Sequence, residues 1–153
     1  MKNIIRFSLV VFLGITTIIG CKDKDEPITD NQLTSFNWRL DSIGQIGGAG
    51  AVTQEYFDSA GFFQSAELVF TFNTDFSITA YYNGLQGNGN YELKIDNKIL
   101  VDNFHRVDRM GASSIWYNSA ESAINDAESY SIVENKLSIF FQSNTRQMHF
   151  TKL

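Results

Sequence analysis

The chain has 153 residues with 12 basic and 17 acidic side chains, a formal net charge of −5, and a single cysteine. That length suits one domain of ordinary size with its own core, and one thiol leaves no intrachain disulfide to staple it. An acidic chain repels phosphate backbones, which argues against nucleic acid as a partner.

The N-terminus reads in three parts. Lys2 and Arg6 give a positive start, Phe7 to Ile19 is nearly all apolar or small, and Gly20 precedes Cys21. The apolar run is short of the ~20 residues of a spanning helix and fits the apolar region of a secretory signal. "Ile18-Ile19-Gly20-Cys21" resembles the lipobox of bacterial lipoproteins. The resemblance implies cleavage before Cys21, with acyl chains on its thiol and freed amine. Each buried CH₂ contributes ~0.8 kcal/mol, so several chains on one residue anchor firmly where one holds marginally. A transmembrane anchor, or an ordinary signal with a chance cysteine, is the plainer alternative. Residues 1–20 hold two bases and no acid, so their removal takes the formal charge to −7.

Residues 21–33, "CKDKDEPITDNQL", are polar with alternating charge and the chain's one proline. They read as a lipidated tether outside the core. The lysine and acids after Cys21 resemble an export signal of surface-displayed lipoproteins; a solvated periplasmic spacer is the competing reading. Expected localisation is therefore the outer membrane, lipid-anchored, facing either the periplasm or the exterior.

From Phe36 the apolar pattern has period two. Phe36, Trp38 and Leu40 share one side, and "ELVFTF" places Leu68, Phe70 and Phe72 inward. A turn at residues 73–75 leads into Phe76, Ile78, Ala80 and Tyr82 on one face. "YELKI" and "KILV" flank Asp96-Asn97, a two-residue hairpin signal, because both residues tolerate positive φ. "KLSIFF" and "RQMHF" alternate Leu137, Ile139 and Phe141, then Met148 and Phe150, around a turn at residues 142–145. Before both, "YNSAESAINDAESY" has helical spacing, with Asn118 or Ser119 as N-cap and Glu121 in the first turn. The spacing predicts one short helix over 118–128 that packs Ile124 on the sheet. Residues 44–51 and 105–116 read as loops. The fold class expected is a mainly antiparallel β barrel or sandwich with that one helix.

In order, these segments resemble the META-domain family of bacterial heat-shock-type lipoproteins. "TSFNWRLDSI" resembles its opening strand, "YYNGLQGNGNYEL" its central turn and Gly-x-Tyr strand, here Gly89, Asn90 and Tyr91. "RVDRMGA" resembles its methionine motif, with Met110 retained, and residues 120–153 its ending. The likeness covers most of residues 34–153, taken as the folded domain. Family members often carry cysteines in the central turn and after the methionine motif; both are missing here, so no cysteine-based property transfers. The resemblance implies a secreted or lipid-anchored protein, with a link to stress in some members and no general catalytic activity. A lipocalin-like barrel, with the same tryptophan-led first strand, is the nearest competitor.

Candidate chemistry is sparse. His105 lies near Asp102 and Asp108, a setting for a general base or a ligand. A metal site needs three or four ligands, and His149 is the only other histidine. Ser113 and Ser114 lack the strand-turn-helix setting of a nucleophile elbow, and "NGLQGNGN" has no P-loop lysine. No catalytic residue, metal or cofactor is expected. Aromatics are the more open question. Tyr56, Phe62 and Phe63, with Tyr81, Trp116 and Tyr117, could form a binding surface for a small ligand or an envelope protein; the plainer reading has them cap the open ends of a barrel. Tyr81 and Tyr82 are adjacent, so one of them must face away from the core.

Overall fold

Residues 29–47, 50–53, 67–107 and 115–153 are described by a computed structural model. The elements run α1 (Asn31–Thr34), β1 (Asn37–Gln45), β2 (Val52–Thr53), β3 (Val69–Phe72), β4 (Ser77–Tyr82) and β5 (Leu85–Lys94). There follow β6 (Lys98–Arg106), α2 (Ile115–Asn125), β7 (Ala127–Val133), β8 (Lys136–Phe141) and β9 (Arg146–Lys152).

The strands form an antiparallel meander that closes when β9 returns to β1, pairing from Trp38↔Lys152 to Gln45↔Arg146. Eight strands make the barrel, and the two-residue β2 lies on the part of β1 that β3 leaves uncovered. Closure gives nearly every strand two partners, which removes the exposed edges that recruit other chains. Short turns make the meander possible. Asn83-Gly84, the two-residue loop between the paired Tyr82 and Leu85, takes φ of 46° and 81°, the left-handed pair such hairpins require. Asp96 and Asn97 take 61° and 55° in a three-residue loop, 95–97, between the paired Lys94 and Lys98. Gln142, Ser143 and Asn144 are also left-handed and carry β8 into β9.

Period-two patterning then fills the interior. Trp38, Phe70, Phe72, Ile78, Leu137 and Phe150 are fully buried. Phe70 sits 5.6 Å from Phe150, edge to face, and 5.7 Å from Phe104. An eight-stranded barrel is just wide enough for side chains to meet in the middle. Each fully buried Leu, Ile or Phe contributes about 1.5–3 kcal/mol.

The end of the barrel nearest α1 is held by polar bonds. Asp30 caps α1, one carboxylate oxygen accepting from the Gln32 and Leu33 N–H groups, while the other accepts from the Tyr130 hydroxyl at 3.0 Å. The Trp38 indole donates to the Leu33 carbonyl at 2.9 Å. Leu33 is fully buried. Asn31, Gln32 and Leu33 thus belong to the fold, which corrects the expectation that the tether reaches residue 33. A one-turn helix is too short to show any periodicity; what holds it here is the cap and the tryptophan.

Two more expectations change. The helix runs over 115–125 rather than 118–128: Ala127 is already paired with Phe141 in β7, and strand pairing takes the residues at which helical spacing alone would continue. Asn118 and Ser119 consequently lie inside the helix and Glu121 beyond its first turn. In the glycine stretch Asn83-Gly84 makes the turn, while Gly87 and Gly89 are strand residues without positive φ, with Gly89 at the register shift between Asn88 and Asn90.

Burial pushes the Tyr91 phenol up to about 12, with the charges of Asp75 and Asp30 adding to it. Tyr130 rises further, through burial first and then its bond to Asp30. Both folded values exceed the ordinary 10.0, so the folded chain holds protons that the unfolded chain releases. That stabilisation is complete below pH 10 and lost as pH rises through the folded values. Denaturant midpoints measured from pH 9 to 12 should therefore fall more steeply for the native chain than for the Tyr91→Phe/Tyr130→Phe variant. The variant should start lower by about 1 kcal/mol per hydroxyl bond lost.

Candidate ligand-binding groove

Helix α2 lies where the barrel's strand pairing fails. β6 and β7 share one ladder pair, Lys98↔Ser129, and the upper edge of β6 is satisfied by helix side chains instead. The Asn125 amide accepts from the Phe104 N–H at 3.0 Å and donates to the Phe104 carbonyl at 2.8 Å. The carboxylate of Glu121 accepts from the Arg106 N–H at 3.3 Å. An amide carries one acceptor and two donors, so Asn125 reproduces what a neighbouring strand would offer.

The inner face of α2 enters the barrel mouth. Trp116 and Tyr117 are each 1 % exposed and Ile124 is fully buried. Space for them comes from β5. A Cβ on Gly87 would lie 1.9 Å from the Tyr117 hydroxyl oxygen and 2.8 Å from Phe104 Cζ. At Gly89 it would lie 2.6 Å from the Phe104 backbone. These glycines are needed for close approach, not for turn geometry.

The other face of α2 bounds an open groove of about 380 Å³. Ile115, Asn118, Ser119, Ser122, Ala123 and Asp126 line it, a stripe at three- and four-residue spacing along the helix. Across from them stand Ile43 of β1, Phe141 of β8, and Gln142 and Arg146 from the following turn and strand. Ile43, Phe141 and Ala123 are nearly fully buried and make an apolar floor. Arg146 is the cross-strand partner of Phe141, and its guanidinium carbon lies 5.2 Å from the ring centroid, a cation–π stack. Among the described residues no carboxylate forms an ion pair with Arg146, and no basic group forms one with Asp126. A volume in the low hundreds of Å³, an apolar floor and a few polar groups match a small-molecule site.

The residues chosen from sequence fare unevenly. Tyr81 is 59 % exposed on the outside of β4 while Tyr82 is buried, as their adjacency requires. Trp116 and Tyr117 are not a binding surface: they plug the barrel mouth, because strand pairing stops there and the helix's apolar face must fill the opening. Tyr56, Phe62, Phe63, Cys21, Asp108, Met110, Ser113 and Ser114 lie outside the described residues. The His105 ring nitrogen Nδ1 is 2.6 Å from the Asn103 carbonyl, on the surface. His149 Nδ1 is 3.2 Å from the Ser138 hydroxyl. No cluster of three or more His, Cys, Asp or Glu side chains occurs among the described residues. The groove itself was missed. Asn118, Ser119 and Ser122 share a face of the helix expected from sequence, but the wall opposite, from Ile43, Phe141 and Arg146, exists only in the closed barrel.

No protein-family model matches the chain, and no curated protein matches it in sequence. Solved structures do resemble it. One is a DUF4847 family protein from Bacteroides vulgatus ATCC 8482, 14 % identical, TM-score 0.59, covering 79 % of this chain and 95 % of that one. Another is a protein from Burkholderia xenovorans, 16 % identical, TM-score 0.60, covering 86 % of this chain and 96 % of its own. At such identity the likeness supports the antiparallel barrel fold and nothing of its chemistry.

Gly87→Ala should lower stability by about 1–3 kcal/mol, the usual cost of overpacking. Adding Tyr117→Phe should recover part of that loss, because the closest clash is with the hydroxyl. Thermal melts of the single and double variants would show the non-additivity.

Proposed function

We propose that this protein is a lipid-anchored cell-envelope barrel, without catalytic activity, that binds a small ligand in the groove beside α2. The observation that carries the reading is the groove: an apolar floor with an arginine that has no carboxylate partner among the described residues. Support for the anchor is the lipobox-like stretch ending in Cys21, and the ordered META-like motifs add the link to envelope stress. A lipocalin-like carrier differs in where its ligand sits. Such a carrier needs space at the barrel centre, where the rings of Phe70, Phe104 and Phe150 meet. The groove leaves that packing undisturbed.

The two parts are tested separately. Labelled fatty acid should be incorporated into the full chain expressed in a Gram-negative host and not into Cys21→Ser; labelling that persists in the variant would remove the anchor. Native mass spectrometry of the protein purified gently from that host should show a reproducible added mass. Ser122→Trp, whose ring would fill the groove from an exposed position, should lose it. Ligand-free masses for both, each equal to its own lipidated chain, would remove the small-ligand reading.

A further inference from the structure

Four observations narrow what the groove can hold. The first is shape. The lining stripe runs from Ile115 to Asp126, the whole length of α2, and at ~1.5 Å per residue it is roughly 16 Å long. A volume of about 380 Å³ spread over that length makes a slender channel, suited to an elongated body.

The second is the floor. Ile43, Phe141 and Ala123 offer aliphatic and aromatic surface with no hydrogen-bonding atom in their side chains, so the body that lies on them is apolar.

The third is the charge at the rim. Among the described residues Arg146 is the one basic side chain lining the groove, on a chain whose net charge is negative. Its guanidinium carbon lies over the Phe141 ring at 5.2 Å, and no carboxylate among the described residues pairs with it. A planar fork of donors matches a carboxylate with two parallel bonds.

The fourth is the place of Asp126. Ala127, Phe141 and Arg146 form one row across β7, β8 and β9. The backbone beside Asp126 is thus two strand spacings, ~10 Å, from that of Arg146. The backbones that carry the two charges stand on opposite sides of Phe141, and no ion pair joins them. Asp126 opposes a second negative charge on the ligand. Ser119 and Ser122 stand along the groove as neutral groups for polar substituents of the body.

We infer that the groove is a site for an organic monocarboxylate with an elongated apolar body, its carboxylate held by Arg146 and its chain lying over Phe141, Ile43 and Ala123. The inference deepens the small-ligand reading and rests on it. Its test compares decanoate with decanol, equal in chain length and different in charge, by isothermal titration of the full chain in detergent below the micellar range of both ligands. Decanoate should bind at least tenfold more tightly. Arg146→Gln, which removes the charge at a half-buried rim position and keeps a polar side chain, should abolish the difference while still binding decanol. Ser122→Trp should weaken both ligands. Equal affinity for the two in the native chain, or a preference for decanoate that survives Arg146→Gln, overturns the carboxylate assignment. If decanol binding is nevertheless lost in Ser122→Trp, the groove stands as a site for a neutral ligand. Loss of neither ligand in Ser122→Trp overturns the groove itself.

Discussion

β6 and β7 meet in the ladder at Lys98 and Ser129 alone, and the rest of the molecule's working end follows from that gap. A barrel of short strands can close only if each backbone edge finds donors and acceptors, since a buried N–H or C=O left unpaired costs about as much as a lost hydrogen bond. Above Lys98 the chain meets this demand with side chains: the Asn125 amide and the Glu121 carboxylate take the places of a strand. The helix that carries them is thereby fixed across the mouth, with Trp116 and Tyr117 pointed inward. Its opposite face is left beside the rims of β1, β8 and β9, and that face bounds the groove.

The closing seam between β1 and β9 has its own polar fastening. The register shifts between Leu40 and Ser42, leaving Asp41 as a bulge. The Asp41 carboxylate accepts from Arg39 at 3.2 Å, from Lys136 at 3.4 Å, and from the Thr151 hydroxyl. Arg39 also reaches Glu67 at 3.0 Å, and the bonds to Glu67 and Asp41 raise its pKa above the ordinary value. These groups are half exposed, so each pair contributes at most about 1 kcal/mol. Their value lies more in register: a bulge re-aims side chains, and here it restores Ile43 to the inner face, at the groove floor.

A filled barrel with a lateral groove keeps the core that holds the fold apart from the proposed binding site. Aromatic rings in the middle hold the fold without disulfides, and the groove sits on a rigid helix and three strand ends. Binding there requires no opening of the core. The apolar floor and the stacked arginine are both preorganised, which reduces the ordering cost that a flexible site would carry.

Much of the fold was legible along the chain because a barrel strand writes its burial in alternate residues. Leu137, Ile139 and Phe141, or Leu68, Phe70 and Phe72, could face inward only as a set, and Asp96-Asn97 required a hairpin on backbone grounds alone. Local chemistry also separated Tyr81 from Tyr82. Three things were not local. The α1 turn exists because Asp30 meets Tyr130, a hundred residues away. The end of α2 was set by where β7 pairs with β8, not by helical spacing, and its start at Ile115 puts Trp116 and Tyr117, surface candidates by sequence, on the face that packs into the core. Gly87 and Gly89 look like turn residues until Phe104 and Tyr117 are placed against them. The groove arises last, from Phe141 and Arg146 across a hairpin and a helix face more than fifteen residues earlier. Sequence by itself determined the strands, their inward faces and the hairpins, since period and positive φ are properties of neighbouring residues. Only the tertiary structure decided the site, because closing the ring brings together residues whose chemistry, taken one at a time, is unremarked.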